Sequence, residues 1–182
     1  MPALLIVRMG HLLLRQKALE LLPEKIKDKA FQTFLDAMME TMQRAEGVGL
    51  AANQVAEPFS ALVLACKANA RYPGQEQVLP AAYMNIRILE YSAEMETDWE
   101  GCLSIPGYRG LVPRSKEVTF EALDRHGKNE RKTVRGFHAR IIQHEADHLN
   151  GMFYVDRMPD LKSWMHLKEF NDQFNQGIEE ED

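Results

Sequence analysis

Between Pro23 and Glu46 the apolar residues Ile26, Ala30, Phe31, Phe34, Leu35, Met38, Met42 and Ala45 recur at steps of three and four. That spacing predicts one amphipathic helix, opened by Pro23 and stopped by Gly47. Its methionine-rich stripe reads as core filler, since unbranched thioethers fill irregular gaps. The apolar run Ala61–Cys66 predicts a strand and Ala82–Tyr91 a second, with Lys67–Pro80 a loop around Pro73-Gly74. Val118–Leu123 alternates apolar and polar, and Asp124-Arg125-His126-Gly127 predicts a turn into a strand over Arg131–Val134. A helix from His138 to Leu149 should stop at Asn150-Gly151. A last amphipathic helix is expected over Leu161–Phe174. Strands with a few helices between them, no repeat and no long linker predict one α+β domain over residues 1–176, then an acidic, flexible tail over 177–182.

Composition narrows the picture. The 182 residues are 45% hydrophobic and 27% charged, ordinary proportions that exclude fibrous and disordered classes. A net charge of −5 and a pI near 5.7 argue against a general binder of nucleic acid or anionic membranes. Two cysteines, Cys66 and Cys102, make no disulfide framework, which predicts a reducing, cytoplasmic setting. The apolar start, Met1 to Leu14, is broken by Arg8 and His11 and reads as neither a signal peptide nor a membrane span.

The strongest chemical signal is His144-Glu145-Ala146-Asp147-His148. Residues four apart lie on one helix face, so both histidines can reach one metal ion. Glu145 follows the first of them, where a general base for an attacking water is wanted. A chain of this composition would hold only about 0.02 such pentapeptides by chance. Ile141, Ile142 and Leu149 make the same helix apolar, and a buried histidine pair is expensive unless its polar atoms are partnered. The residues leave the third ligand open. One group of metalloproteases has a histidine six positions on, occupied here by Tyr154, although Gly151 matches that group's glycine. Another takes a downstream glutamate, for which Glu169 is the candidate. Cys102, within Glu100-Gly101-Cys102-Leu103-Ser104, is the third choice, with a glycine before it that permits close backbone approach. Cys66, inside an apolar run, reads as a small buried hydrophobe.

Three separated segments, Gly47 to Gln54 (Gly-Val-Gly-Leu-Ala-Ala-Asn-Gln), Glu100 to Ser104 and Gln143 to Leu149, resemble the three signature motifs of peptide deformylases, in the family's order. The resemblance runs from about Val7 to Arg157. It implies a single catalytic domain with antiparallel or mixed strands around a central metal-binding helix. It implies removal of the formyl group from N-formylmethionine at the start of new bacterial or organellar polypeptides. By position Cys102, His144 and His148 would hold one divalent ion, ferrous iron in the cell, with zinc, nickel or cobalt as substitutes. Sequence cannot choose among them, since a thiolate and two imidazoles suit all four. Glu145 would move the proton, with the Gln54 amide and the Leu103 backbone N–H as donors to the developing oxyanion. Val48, Gly49, Phe137 and Ile141 match the methionine pocket, Arg109 its rim, and Glu100 and Arg114 the supports behind the ligands.

The chain also departs from the family pattern. Gly10-His11-Leu12 lacks the proline common after the histidine, and Met84-Asn85-Ile86-Arg87 has Ile86 where proline is usual. The acidic end differs from members whose basic C-terminal helix docks transiently on the ribosome. The resemblance implies formylmethionyl peptides as partners and no membrane or specific nucleic acid. Two other readings are a zinc peptidase on His144, His148 and Glu169, and a structural metal module in which Cys66 joins Cys102 and the histidines.

Overall fold

A computed structural model describes residues 3–67 and 77–174. Helices α1 (Pro23–Lys27) and α2 (Lys29–Arg44) lead to strands β1 (Gly49–Ala51), β2 (Ala61–Cys66), β3 (Val78–Tyr91), β4 (Met95–Cys102), β5 (Ile105–Ser115), β6 (Glu117–Leu123) and β7 (Asn129–Arg135). Helix α3 (Gly136–Leu149), the short β8 (Met165–His166) and α4 (Leu167–Phe174) complete the order. The strands form an antiparallel five-stranded sheet, β1-β2-β3-β6-β7, and a three-stranded one, β4-β5-β8.

Helix α3 lies between the two sheets. One core packs its Ala139, Ile142 and Leu149 against Leu62, Leu64, Val118 and Phe120 of the larger sheet. On that sheet's other face Phe31, Leu35, Met38 and Met42 of α2 meet Leu50, Ala61, Val63 and Met84. Strand β2 is therefore covered on both sides, which is why it reads as an unbroken apolar run. Strand β6 puts Val118, Phe120 and Ala122 into one face only, hence its clean alternation. The methionines of α2 are core residues, as their spacing suggested. A third cluster, with Leu14, Cys102, Ile105, Val112, Phe153 and Tyr154, joins the smaller sheet to the chain that follows α3.

Several boundaries differ from those predicted. The helix predicted from Pro23 to Glu46 is two helices, because Asp28 is extended and its side chain accepts the Ala30 N–H as an N-cap. Strand β3 begins at Val78, ahead of Ala82; the rest of the predicted Lys67–Pro80 loop falls on residues 68–76, outside the described residues, as does the acidic tail. At Asn85, inside the departing Met84–Arg87 segment, φ is 53° and the pairing register with β6 shifts. The Asn85 side chain pairs with both the N–H and the carbonyl of Leu21, each at 2.8 Å, so asparagine suits this left-handed bulge. Of the predicted helix Leu161–Phe174 only α4 is helical, because β5 captures Met165 and His166 as a strand.

Candidate metal centre and cleft

The β4–β5 hairpin and α3 bring the site together. Cys102 ends β4 and pairs across the turn with Ile105, while His144 and His148 project from one face of α3. The donor atoms of Cys102, His144 and His148 all lie within 4.8 Å of one another, and among the described residues no other group of three could hold a metal. Cys102 Sγ is 3.2 Å from His148 Nε2. Neither Glu169, exposed on α4, nor Cys66, buried in the β2 core, joins the group. Tyr154 instead packs its ring along His144 and accepts the Trp164 indole N–H.

Electrostatics suit a cation at this point. Burial holds the His148 imidazole well below its usual range, leaving it neutral and able to ligate. His144 moves the other way: burial opposes it, but hydrogen bonds with Cys102 and Glu100 hold its pKa well above the ordinary value. Burial pushes the Glu145 carboxyl up to about 7, although His144 opposes the shift. Its Oε2 is buried with no hydrogen-bond partner among the described residues. A cation held by the three donors would offset the cost of that orphaned carboxylate and draw its pKa down again. The residues fit a divalent ion.

Gln54 closes one side. Its Oε1 accepts the Ala51 N–H at 2.8 Å, which turns Nε2 toward Cys102 Sγ at 3.6 Å and Ser104 Oγ at 3.2 Å. The amide therefore presents its donor to the centre. Gly49 allows the close approach: a Cβ there would lie 2.6 Å from the carboxyl carbon of Glu145. Leu103 follows Cys102 in the hairpin turn and lines the cleft, its side chain over Gly47. Val48, Phe137 and Ile141 form apolar lining beside Glu145, and Arg109 lines the same cleft from β5. The residues matched to the family's site thus meet in one place, except that Arg114 and His148 are not part of the cleft lining, and Glu169 and Cys66 lie elsewhere.

Behind the ligands lies a buried ion network. Glu100 accepts His144 Nδ1 at 2.8 Å, Arg114 in a fork at 2.9 and 3.0 Å, and Arg140 Nη1 at 2.8 Å. Burial alone would raise the Glu100 carboxyl, yet His144 and Arg114 hold it far below the usual carboxylate range. Arg114 also reaches Asp147 at 2.5 Å, and Arg157 binds that carboxylate at 2.7 Å. Sequence reading named Glu100 and Arg114 but missed Arg140 and Asp147 in this network and Trp99 of β4, which lines the cleft. Arg140 had a readable signal, a charge one helical turn before His144 among apolar neighbours. Trp99 had none, because nothing local places β4 beside α3.

Comparison with known proteins covers the same stretch of chain. A family model described as polypeptide deformylase matches residues 3–164. A peptide deformylase 2 of Nostoc is 42% identical over 158 residues, 86% of this chain and 87% of that protein. A Met-Ala-Ser-bound class I type b peptide deformylase from Acinetobacter baumannii superposes with a TM-score of 0.84 at 36% identity, covering 86% of this chain and 99% of the other. The peptide deformylase of Thermotoga maritima does so with a TM-score of 0.77 at 32% identity, over 88% and 100%. With motifs, fold and relatives agreeing over most of its length, the chain belongs to the peptide deformylase family.

Proposed function

We propose that this protein, through one catalytic domain over residues 1–176, hydrolyses the formyl group from N-formylmethionyl polypeptides and releases formate. The carrying observation is the convergence, in one cleft, of a thiol, two imidazoles, an oriented amide donor and an orphaned carboxylate. Cys102, His144 and His148 would hold the ion. A divalent ion there supplies Lewis-acid chemistry, polarising a carbonyl and acidifying a water. Ferrous iron is the proposed native metal, with zinc, nickel or cobalt as functional substitutes.

Within that frame the chain's own groups divide the work. Glu145, whose buried Oε2 has no hydrogen-bond partner among the described residues, takes the proton of the attacking water and returns it to the leaving amine. Gln54 Nε2, oriented by the bond its Oε1 accepts from the Ala51 N–H, donates to the oxygen of the formyl group as negative charge develops; the Leu103 N–H is the second donor. Val48, Gly49, Phe137 and Ile141 receive the methionine side chain, and Arg109 contacts the chain at the rim. Glu100 fixes the His144 ring through Nδ1, and Arg114 in turn fixes Glu100. No described helix is long and apolar enough to cross a membrane, which suits a cytoplasmic enzyme meeting nascent chains. The acidic C-terminal residues would repel ribosomal RNA, so any contact with the ribosome uses another part of the molecule.

The test is to incubate the metal-loaded protein with formyl-Met-Ala-Ser and with unformylated Met-Ala-Ser. Formate and intact Met-Ala-Ser are expected. Internal peptide cleavage would favour a peptidase instead, and bound metal with neither product would favour a structural role.

A further inference from the structure

The segment 165–174, just beyond the polypeptide deformylase match, stays with the rest of the molecule. It is fastened to the hairpin that carries Cys102. Trp164 stacks on Tyr108 with ring centroids 4.4 Å apart, and β8 pairs Met165 with Arg109 and His166 with Tyr108. Helix α4 then lays Phe170, 7% exposed, against two residues of the cleft wall. Its ring meets Trp99 edge-on at 5.0 Å and lies 5.1 Å from the Arg109 guanidinium. Phe174 adds a second ring to Trp99 at 5.3 Å. This packing narrows the rotamers open to Trp99 and Arg109.

We propose that Phe170 is a positioning residue for the part of the substrate beyond its methionine, holding Trp99 and Arg109 so that the β8–α4 segment shapes the exit wall of the cleft. This rests on the deformylase reading and deepens it. The formyl-methionyl end is accounted for by α3 and the Gly47–Gln54 segment, but a polypeptide must also leave the cleft. Trp99 and Arg109 stand on the other side, on β4 and β5. An aromatic face and a guanidinium fork suit peptide planes and carbonyls, and both work better when held still.

Phe170→Ala is compared with wild type on formyl-Met-Ala-Ser and on formyl-Met amide, which has no residues beyond the methionine. Without the ring, Trp99 loses its edge-on partner Phe170 and Arg109 loses the face of that ring. The KM for the tripeptide should therefore rise about 3- to 10-fold. KM for the amide and kcat for both substrates should stay within about twofold, and metal content should not change. Phe170→Tyr, which keeps the ring, should restore the tripeptide KM. Should Phe170→Ala fail to fold, Phe170→Leu, which keeps apolar bulk without a ring, is read by the same criterion. Equal KM changes for both substrates, a fall in kcat, or no change at all would overturn the proposal. Formate from neither substrate with wild type would overturn the deformylase reading, and this proposal with it.

Discussion

Glu145 and Gln54 carry the chemistry proposed for single residues, and each can be removed without touching a metal ligand. Glu145→Gln preserves shape and hydrogen bonding but cannot accept a proton. Metal content should stay near that of wild type while kcat falls by about 10²–10⁴-fold, the usual contribution of a general acid–base group. Gln54→Ala should also keep metal and lose about 10²–10³-fold in rate, as for one oxyanion donor. Metal analysis beside steady-state formate release checks both. A Glu145→Gln protein retaining more than about a tenth of the wild-type rate would sink this proton-transfer role. At this scale the motif was legible early: four-residue spacing on a helix puts two imidazoles on one face whatever surrounds it. Gln54 was legible only through family resemblance, because its orientation depends on the Ala51 N–H.

Elements are joined here by charges where apolar contact runs out. Arg114 on β5 bridges Glu100 on β4 and Asp147 on α3, all nearly inaccessible to solvent. Arg114→Ala would leave Glu100 with Arg140 and Asp147 with Arg157 as their remaining arginine partners, so the cost should fall below the about 3–5 kcal/mol typical of an uncompensated buried charge. We expect a cooperative denaturation midpoint shifted accordingly and a weaker hold on metal, since Glu100 orients His144. Urea unfolding with metal titration reads both, and an unchanged midpoint would mean that the bridge contributes nothing. The hairpin itself was hard to see in the sequence. Strand β4 is mostly polar, with its first three residues exposed, and β5 contains Pro106, Gly107, Gly110 and Pro113, residues that ordinarily mark turns. Those prolines are tolerated because β8 pairs with β5 only at Tyr108 and Arg109, leaving no second ladder beside Pro106 or Pro113 among the described residues. Strand β8 was hidden by residues at helical spacing, and pairing with β5 overrode that local preference.

Across the whole molecule the metal centre is a clasp between α3 and the smaller sheet, since one ligand comes from β4 and two from the helix. An ion that binds the native state at 100-fold above its Kd stabilises by about 2.7 kcal/mol. For a chain of this size, stripping it with a chelator should lower Tm by roughly 5–10 °C. Calorimetry with and without chelator is the measurement. Cys102→Ala should begin at the lower Tm and show no further drop, whereas Cys66→Ala should respond like wild type. A Tm indifferent to chelation would mean that the clasp adds no stability. By itself the sequence determined the α+β class, the apolar faces of α2, β2 and β6, the helix α3 and the three segments that carry the chemistry. Those are local matters of periodicity and residue type, readable within a dozen positions. The residues alone left the third ligand open, and the family resemblance pointed to Cys102 and Arg114. Only the tertiary structure brought Cys102 within reach of the histidines, set Arg140 beside Arg114 on Glu100, and placed residues 165–174. Cys102 reaches His148 across 46 positions of sequence, and Phe170 reaches Trp99 across 71. No local pattern encodes such distances, because packing among elements sets them.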